Sequence, residues 1–125
     1  MGMGEKYRSF TELEVWKKVR VLKNEIATLV ESFPAIEKYR LSDQLIRASR
    51  SVTSNISEGH GRFSIKDQLR FCMLARGSLG EISNHLIDAF DSNYISQDKL
   101  DSFQNKIDEV ARLLNGYITY LRKQL

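Results

Sequence analysis

Arginine is the residue type that this chain places most suggestively. Arg40, Arg47 and Arg50 fall at spacings of 7 and 3, Arg62 follows, and Lys66 and Arg70 complete a basic group. A guanidinium presents a planar fork of donors that matches a phosphate or carboxylate bidentately. The surrounding balance reinforces this. From Lys38 to Arg76 there are eight Lys/Arg against three Asp/Glu, whereas from Glu81 to Leu125 there are five against seven. A basic stretch of this kind attracts an anionic partner, nucleic acid first of all; the plainer reading is a solvated face. Phe63 is the aromatic beside the basic loop, so backbone and shape recognition is expected rather than base reading.

A second group is polar. Ser51, Asn55, Glu58 and Arg62 follow spacings of 4, 3 and 4, and Ser78, Glu81 and His85 follow 3 and 4. On two neighbouring helices these short polar groups would meet, and Ser51, Asn55, Glu58, Ser78 and Glu81 are read as a structural network that sets register. Glu58, Glu81 and His85 also supply acid–base groups, but no glycine-rich phosphate loop, nucleophile motif or HExxH pair accompanies them. No enzymatic activity, cofactor or small-molecule substrate is expected. A di-iron bundle needs Glu-x-x-His pairs projecting inward. His85 follows Glu81 by four, with no second copy, so no metal site is expected. Cys72, the single cysteine, is read as a small buried hydrophobe.

Helices must position these groups. Thr11 with Glu14 three residues on forms a capping-box pattern, with Phe10 and Val15 as its hydrophobic staple. Val15, Val19, Leu22, Ile26, Leu29 and Phe33 then run at alternating spacings of 4 and 3 until Pro34. Ser42 is the expected N-cap of a second helix with seam Leu45, Ala48, Val52 and Ile56, ended by Gly59 and Gly61. Ser64 caps a third, with seam Leu69, Cys72, Ala75, Leu79, Ile82, Leu86 and Phe90, closed at Asp91-Ser92-Asn93-Tyr94. Ser96 opens a fourth, with seam Leu100, Phe103, Ile107, Val110, Leu114, Ile118, Leu121 and Leu125. No segment alternates with period two, so no strand is expected. The expected fold is all-α, an antiparallel up-down-up-down four-helix bundle over residues 10–125 after a flexible N-terminus at 1–9.

Two features fall outside these seams. At 100° per residue, Met73, Gly77, Gly80 and Asn84 share a stripe opposite the core of the third helix. Glycine in a helix interior costs about 1 kcal/mol against alanine, so paired outward glycines point to a close-approaching second subunit. On the first helix Leu13, Trp16, Ala27 and Val30 make a second apolar stripe. Leu13, Trp16, Met73, Gly77 and Gly80 are therefore the expected oligomer interface; a wide core arc within one chain is the alternative for the first helix.

The chain has 125 residues, 42% hydrophobic and 28% charged, with net charge +3. That length forms one domain with a real core and no staple. One cysteine allows no internal disulfide, which fits a cytoplasmic, reducing compartment. No secretory leader is read at the start, and no uncharged run approaches a membrane span.

The run Phe33-Pro34, Glu37, Tyr39, Leu41, Gln44-Leu45, Arg47-Ala48, Ser51-Val52 and Asn55-Ile56-Ser57-Glu58-Gly59 resembles the four-helix-bundle proteins encoded in intervening sequences of bacterial 23S ribosomal RNA genes. These are also called the S23 ribosomal protein family. Phe10, Leu13 and Val15-Trp16 match its start, and Ala75, Gly77-Ser78-Leu79 and Glu81-Ile82 its third helix. Ser57 stands where the family more often has alanine. The resemblance implies an antiparallel four-helix bundle and a homo-oligomer, a pentameric ring. It implies no established enzymatic activity and no structural ribosomal role. The architecture is also similar to the accessory protein of diversity-generating retroelements, a basic pentamer that binds nucleic acid and a reverse transcriptase. The expected function is thus non-enzymatic binding of structured RNA. The alternative is a protein-interaction scaffold that docks an acidic or reverse-transcriptase-like partner.

Overall fold

Four apolar stripes at helical spacing leave the chain one economical way to hide them, helix against helix. The computed structural model describes residues 9–125 and has that arrangement. Helix α1 spans Glu14–Val30, α2 Leu41–His60, α3 Ile65–Asp91 and α4 Gln97–Arg122, with 3-10 turns at Phe10–Glu12 and Ala35–Glu37. There is no strand among the described residues. Helices α1 and α3 each pack on both α2 and α4, while the diagonal pairs stay apart. The flexible N-terminal segment expected at 1–9 lies, except for Ser9, outside the described residues.

The core is the four seams brought together. Val19, Ile26, Leu45, Val52, Ala75, Ile82, Leu86 and Leu114 are wholly enclosed. Each large aliphatic among them contributes about 1.5–3 kcal/mol over its exposed state. The α4 seam is buried from Leu100 to Leu121, but Leu125 lies beyond the helix and is exposed. Leu69 and Phe90 are only half-buried, while Phe71 and Ala89, off the expected seam, are enclosed. Two buried hydroxyls on α2 are satisfied by its own backbone: Ser49 Oγ donates to the Ile46 carbonyl at 2.9 Å and Thr53 Oγ1 to that of Arg50 at 3.0 Å.

The helix starts divide into two kinds. Ser64 Oγ accepts from the Asp67 N–H and Ser96 Oγ from the Lys99 N–H, both at 3.1 Å, as their sequence patterns require. Thr11 does not cap α1. It sits in the 3-10 turn, where Ser9 Oγ accepts from its N–H at 3.2 Å, and α1 begins only at Glu14. The reason is Leu13, whose extended backbone (ψ 126°) carries its side chain into the core and breaks the helix before it starts. Phe10 meets Trp16 edge-on at 5.2 Å and packs against the buried cluster that contains Val15. Ser42 is likewise not an N-cap; it is buried inside the first turn of α2, whose N-cap is Arg40.

A side chain from before α2 does that capping work. Glu37 Oε1 accepts from the Leu41 N–H at 3.4 Å, and its other oxygen accepts from the Tyr94 hydroxyl at 2.7 Å. This bond holds the Tyr94 phenol above its usual pKa. It joins the start of α2 to the α3–α4 turn, where Tyr94 also packs on Phe33. That turn is closed by Asn93 at φ 63°, with the Tyr94 N–H bonded to the Ala89 carbonyl and the Asn93 N–H to that of Phe90. These are the two bonds of a Schellman motif, and asparagine tolerates the left-handed position.

Gly59 does not terminate α2. It is buried one residue before the helix ends, and a Cβ there would lie 2.7 Å from Phe71 Cβ. Its missing side chain is what lets α2 and α3 close together. Contacts then climb one helix as they descend the next. Ser51 meets Ser78 while Gly59 meets Phe71; Arg76 meets Asn115 while Ser83 meets Gln104. Across α1 and α4, Lys18 pairs with Glu109 at 2.9 Å and Lys106 with Glu25. The Glu109 hydrogen bond raises the Lys18 pKa and lowers that of the carboxyl.

Candidate functional site

The polar pattern condenses to three residues. Ser51 Oγ and Ser78 Oγ are 2.9 Å apart, and Asn55 Nδ2 donates to the Ser51 carbonyl at 2.9 Å and to its Oγ at 3.1 Å. Ser78 is buried, so this cluster ties α2 to α3 at one register. Glu58 and Glu81 are not part of it. Glu58 Oε1 accepts from Arg62 Nη2 at 2.6 Å, one turn along its own helix. Glu81 is exposed and has no hydrogen bond or ion pair among the described residues.

The same register separates the acid–base candidates. With Ser51 opposite Ser78, Glu58 lies level with Phe71. Glu81 is then about 15 Å and His85 about 20 Å further along the axis, at 1.5 Å per residue. No substrate atom could touch all three. His85 Nδ1 is enclosed and unpartnered, 3.7 Å from Asp88 Oδ2 and too far for a hydrogen bond. Cys72 is buried, and loss of solvent pushes its thiol up to about 11. Such a thiol is inert at neutral pH. Among the described residues no cluster of three His, Cys, Asp or Glu is placed to hold a metal.

The basic residues occupy two groups. At the loop end of α2 and α3, Arg62 and Arg70 both lie over the Phe71 ring, at 4.9 and 4.5 Å from its centroid. Asp67 takes a 3.1 Å hydrogen bond from Arg70 Nε and sits 3.9 Å from Arg62 Nε. Nearer the start of α2, Arg47 Nε donates to Asp43 Oδ2 at 2.8 Å. Arg40, Arg50 and Lys66 are exposed and carry no ion pair among the described residues. About 18 Å of helix separates Arg50 from Arg62. Three cations are thus free and three are partnered on or beside their own helices. The partners were legible: Asp43 with Arg47 and Glu58 with Arg62 stand four apart, and Asp67 with Arg70 three.

The expected interface residues also part company. Leu13 is 3% exposed and belongs to the chain's own core, so it offers no surface to a second subunit. Trp16 is half-buried between Phe10 and Arg20, whose guanidinium stands 5.8 Å from the ring. Met73 is half-buried, whereas Gly77 and Gly80 face outward with nothing within 4 Å of a Cβ at either position. On the opposite side, an open groove of about 480 Å³ runs between α1 and α4, lined by Val21, Leu29, Phe103 and the Glu25–Lys106 pair. It contains none of the candidate residues.

Residues 11–116 match the sequence model of a family described as 23S rRNA-intervening sequence protein. The chain belongs to that family. A solved structure shares the fold: a protein of unknown function from the S23 ribosomal protein family of Bacteroides thetaiotaomicron. It superposes with a TM-score of 0.77 at 24% identity, covering 84% of this chain and 95% of the other. No curated protein matches the sequence. The family match takes in all of α1, α2 and α3 and most of α4. Every expected site residue of this intervening-sequence protein therefore lies within the matched span. Among its described residues no helix is long and apolar enough to cross a membrane.

Proposed function

We propose that this intervening-sequence protein is a non-enzymatic, cytoplasmic homo-oligomer that binds nucleic acid, structured RNA in preference to DNA, on the α2–α3 side of an antiparallel up-down-up-down bundle. The observation that carries this reading is that Arg40, Arg50 and Lys66, on or beside α2 and α3, are exposed and carry no ion pair among the described residues. Arg47, Arg62 and Arg70 add to it. Their ion pairs are solvent-exposed and worth about 0–1 kcal/mol each, so phosphate oxygens compete for the same donors. The opposed sequence order of the contacts supports the topology. The outward Gly77 and Gly80 support assembly through α3, and the resemblance supports five subunits. The buried, unpaired thiol of Cys72 accords with a reducing compartment.

The test is the salt dependence of RNA binding. Each phosphate contact adds about 0.7–0.9 to the slope of log affinity against log salt. The double change Arg40→Gln with Arg50→Gln is expected to weaken binding of any RNA sequence and to lower that slope by about two. Wild-type affinity and slope in the double variant would remove the assignment of this face. One observation favours the scaffold reading: half of the six cations already have carboxylate partners, which lowers the field over this side. Capture of one acidic protein in place of RNA, abolished by the same pair of changes, would establish it.

A further inference from the structure

Among the described residues, the exposed aromatic rings stand at the two ends of α2, beside unpaired cations. Tyr39 is 82% exposed and Phe63 is 106% exposed, the two highest values among the large hydrophobic residues left on the surface. Tyr39 precedes the helix by two residues and Phe63 follows it by three. Among the described residues neither ring stacks on another ring; Tyr39 has the Lys38 ammonium 5.3 Å above it. Their chain neighbours are polar or cationic, Lys38 and Arg40 around Tyr39, Arg62 and Ser64 around Phe63. Of the expected phosphate-binding residues without an ion pair, Arg40 adjoins Tyr39, Lys66 follows Phe63 by three, and Arg50 lies between on α2.

We infer that Tyr39 and Phe63 are stacking positions for unpaired bases, so that the nucleic acid along α2 is single-stranded where it meets the protein. This deepens the nucleic-acid reading above and rests on it. A free base offers a π-face to an aromatic ring while its phosphate meets a cation, so an isolated ring next to a guanidinium or ammonium suits one nucleotide. A duplex hides its base faces inside the stack and would gain nothing from either ring. Helix α2 holds the two positions about 30 Å apart, with the Arg50 cation between them. An anchor for a protein pocket would instead sit at the centre of a larger apolar patch, with its surroundings depleted in charge.

The experiment compares wild type, Tyr39→Ala and Phe63→Ala against two probes: a short single-stranded RNA carrying the fluorescent base 2-aminopurine, and an RNA duplex of the same length. Both side chains lie on the surface, so helical content is expected to match wild type by circular dichroism. The wild type is expected to quench the 2-aminopurine signal on binding. Each variant should lose about tenfold in affinity for the single strand and the quench should shrink, with duplex affinity unchanged. Unchanged single-strand affinity would overturn the stacking assignment while leaving the cationic face intact. An equal loss on both probes would also overturn it, since stacking on unpaired bases acts on one probe only. If the wild type binds neither probe, the parent reading falls and the stacking positions fall with it. A single-stranded DNA arm distinguishes the two sugar chemistries.

Discussion

At the scale of single residues, Gly59 shows how one missing side chain sets a helix pair. Replacement by alanine drives a methyl to 2.7 Å from Phe71 Cβ and 3.3 Å from the Gln68 carbonyl. Neither atom can swing away, because one is tied to the backbone and the other belongs to it. Overpacking of this kind costs about 1–3 kcal/mol, against a propensity gain of about 1. Gly59→Ala is therefore expected to lower unfolding free energy by up to about 2 kcal/mol in urea denaturation; stability above wild type would contradict the tight α2–α3 approach. The sequence marks Gly59 as unusual but reads it as a helix end, because Gly61 and the loop stand so near. Only the position of Phe71 on the neighbouring helix distinguishes a terminator from a contact point. The arginines show the converse. Their partners Asp43, Glu58 and Asp67 lie within one turn, or across the short α2–α3 loop, and were readable from spacing.

At the scale of elements, the termini separate what local sequence specifies from what the core overrides. Ser64 and Ser96 cap as their patterns predict. Thr11 and Ser42 have the same local credentials and do not cap. Burial of Leu13 delays α1 to Glu14, and burial of Leu41 and Ser42 starts α2 two residues earlier. Ser64→Ala and Ser96→Ala are each expected to cost about 1 kcal/mol. Thr11→Ala, which loses only a hydroxyl contact to Ser9, should cost a few tenths at most. Equal losses at Thr11 and Ser64, measured by chemical denaturation, would place the start of α1 at Thr11 after all.

At the scale of the whole molecule, the outward face of α3 carries the question of assembly. Among the described residues nothing lies within 4 Å of a Cβ at Gly77 or Gly80. Alanine at both positions should raise the stability of an isolated bundle, by about 1 kcal/mol each. In a ring that closes through this face, the added methyls stand where another backbone comes near. Under the proposed assembly, Gly77→Ala with Gly80→Ala is expected to reduce the light-scattering mass from ring-sized toward that of one chain, with helicity retained. Wild-type mass together with a higher melting temperature would assign this face to solvent. A monomeric wild type would remove the oligomer proposal altogether. The closeness required of a partner is the part that one chain alone does not contain.

Taken by itself, the amino-acid order determined the number of helices, most of their seams, two of their caps and the turn at Asn93, all of which depend on neighbours within one or two turns. Helical periodicity and capping are local, so they are written along the chain. The tertiary structure decided which residues stand opposite one another. It enclosed Leu13, set Gly59 against Phe71, reduced the polar network to Ser51, Asn55 and Ser78, and spread Glu58, Glu81 and His85 along the bundle. It also left Tyr39 and Phe63 bare at the two ends of α2. Axial offset and exposure follow from how the four seams interdigitate, and no stretch of sequence shorter than the whole fold carries that information.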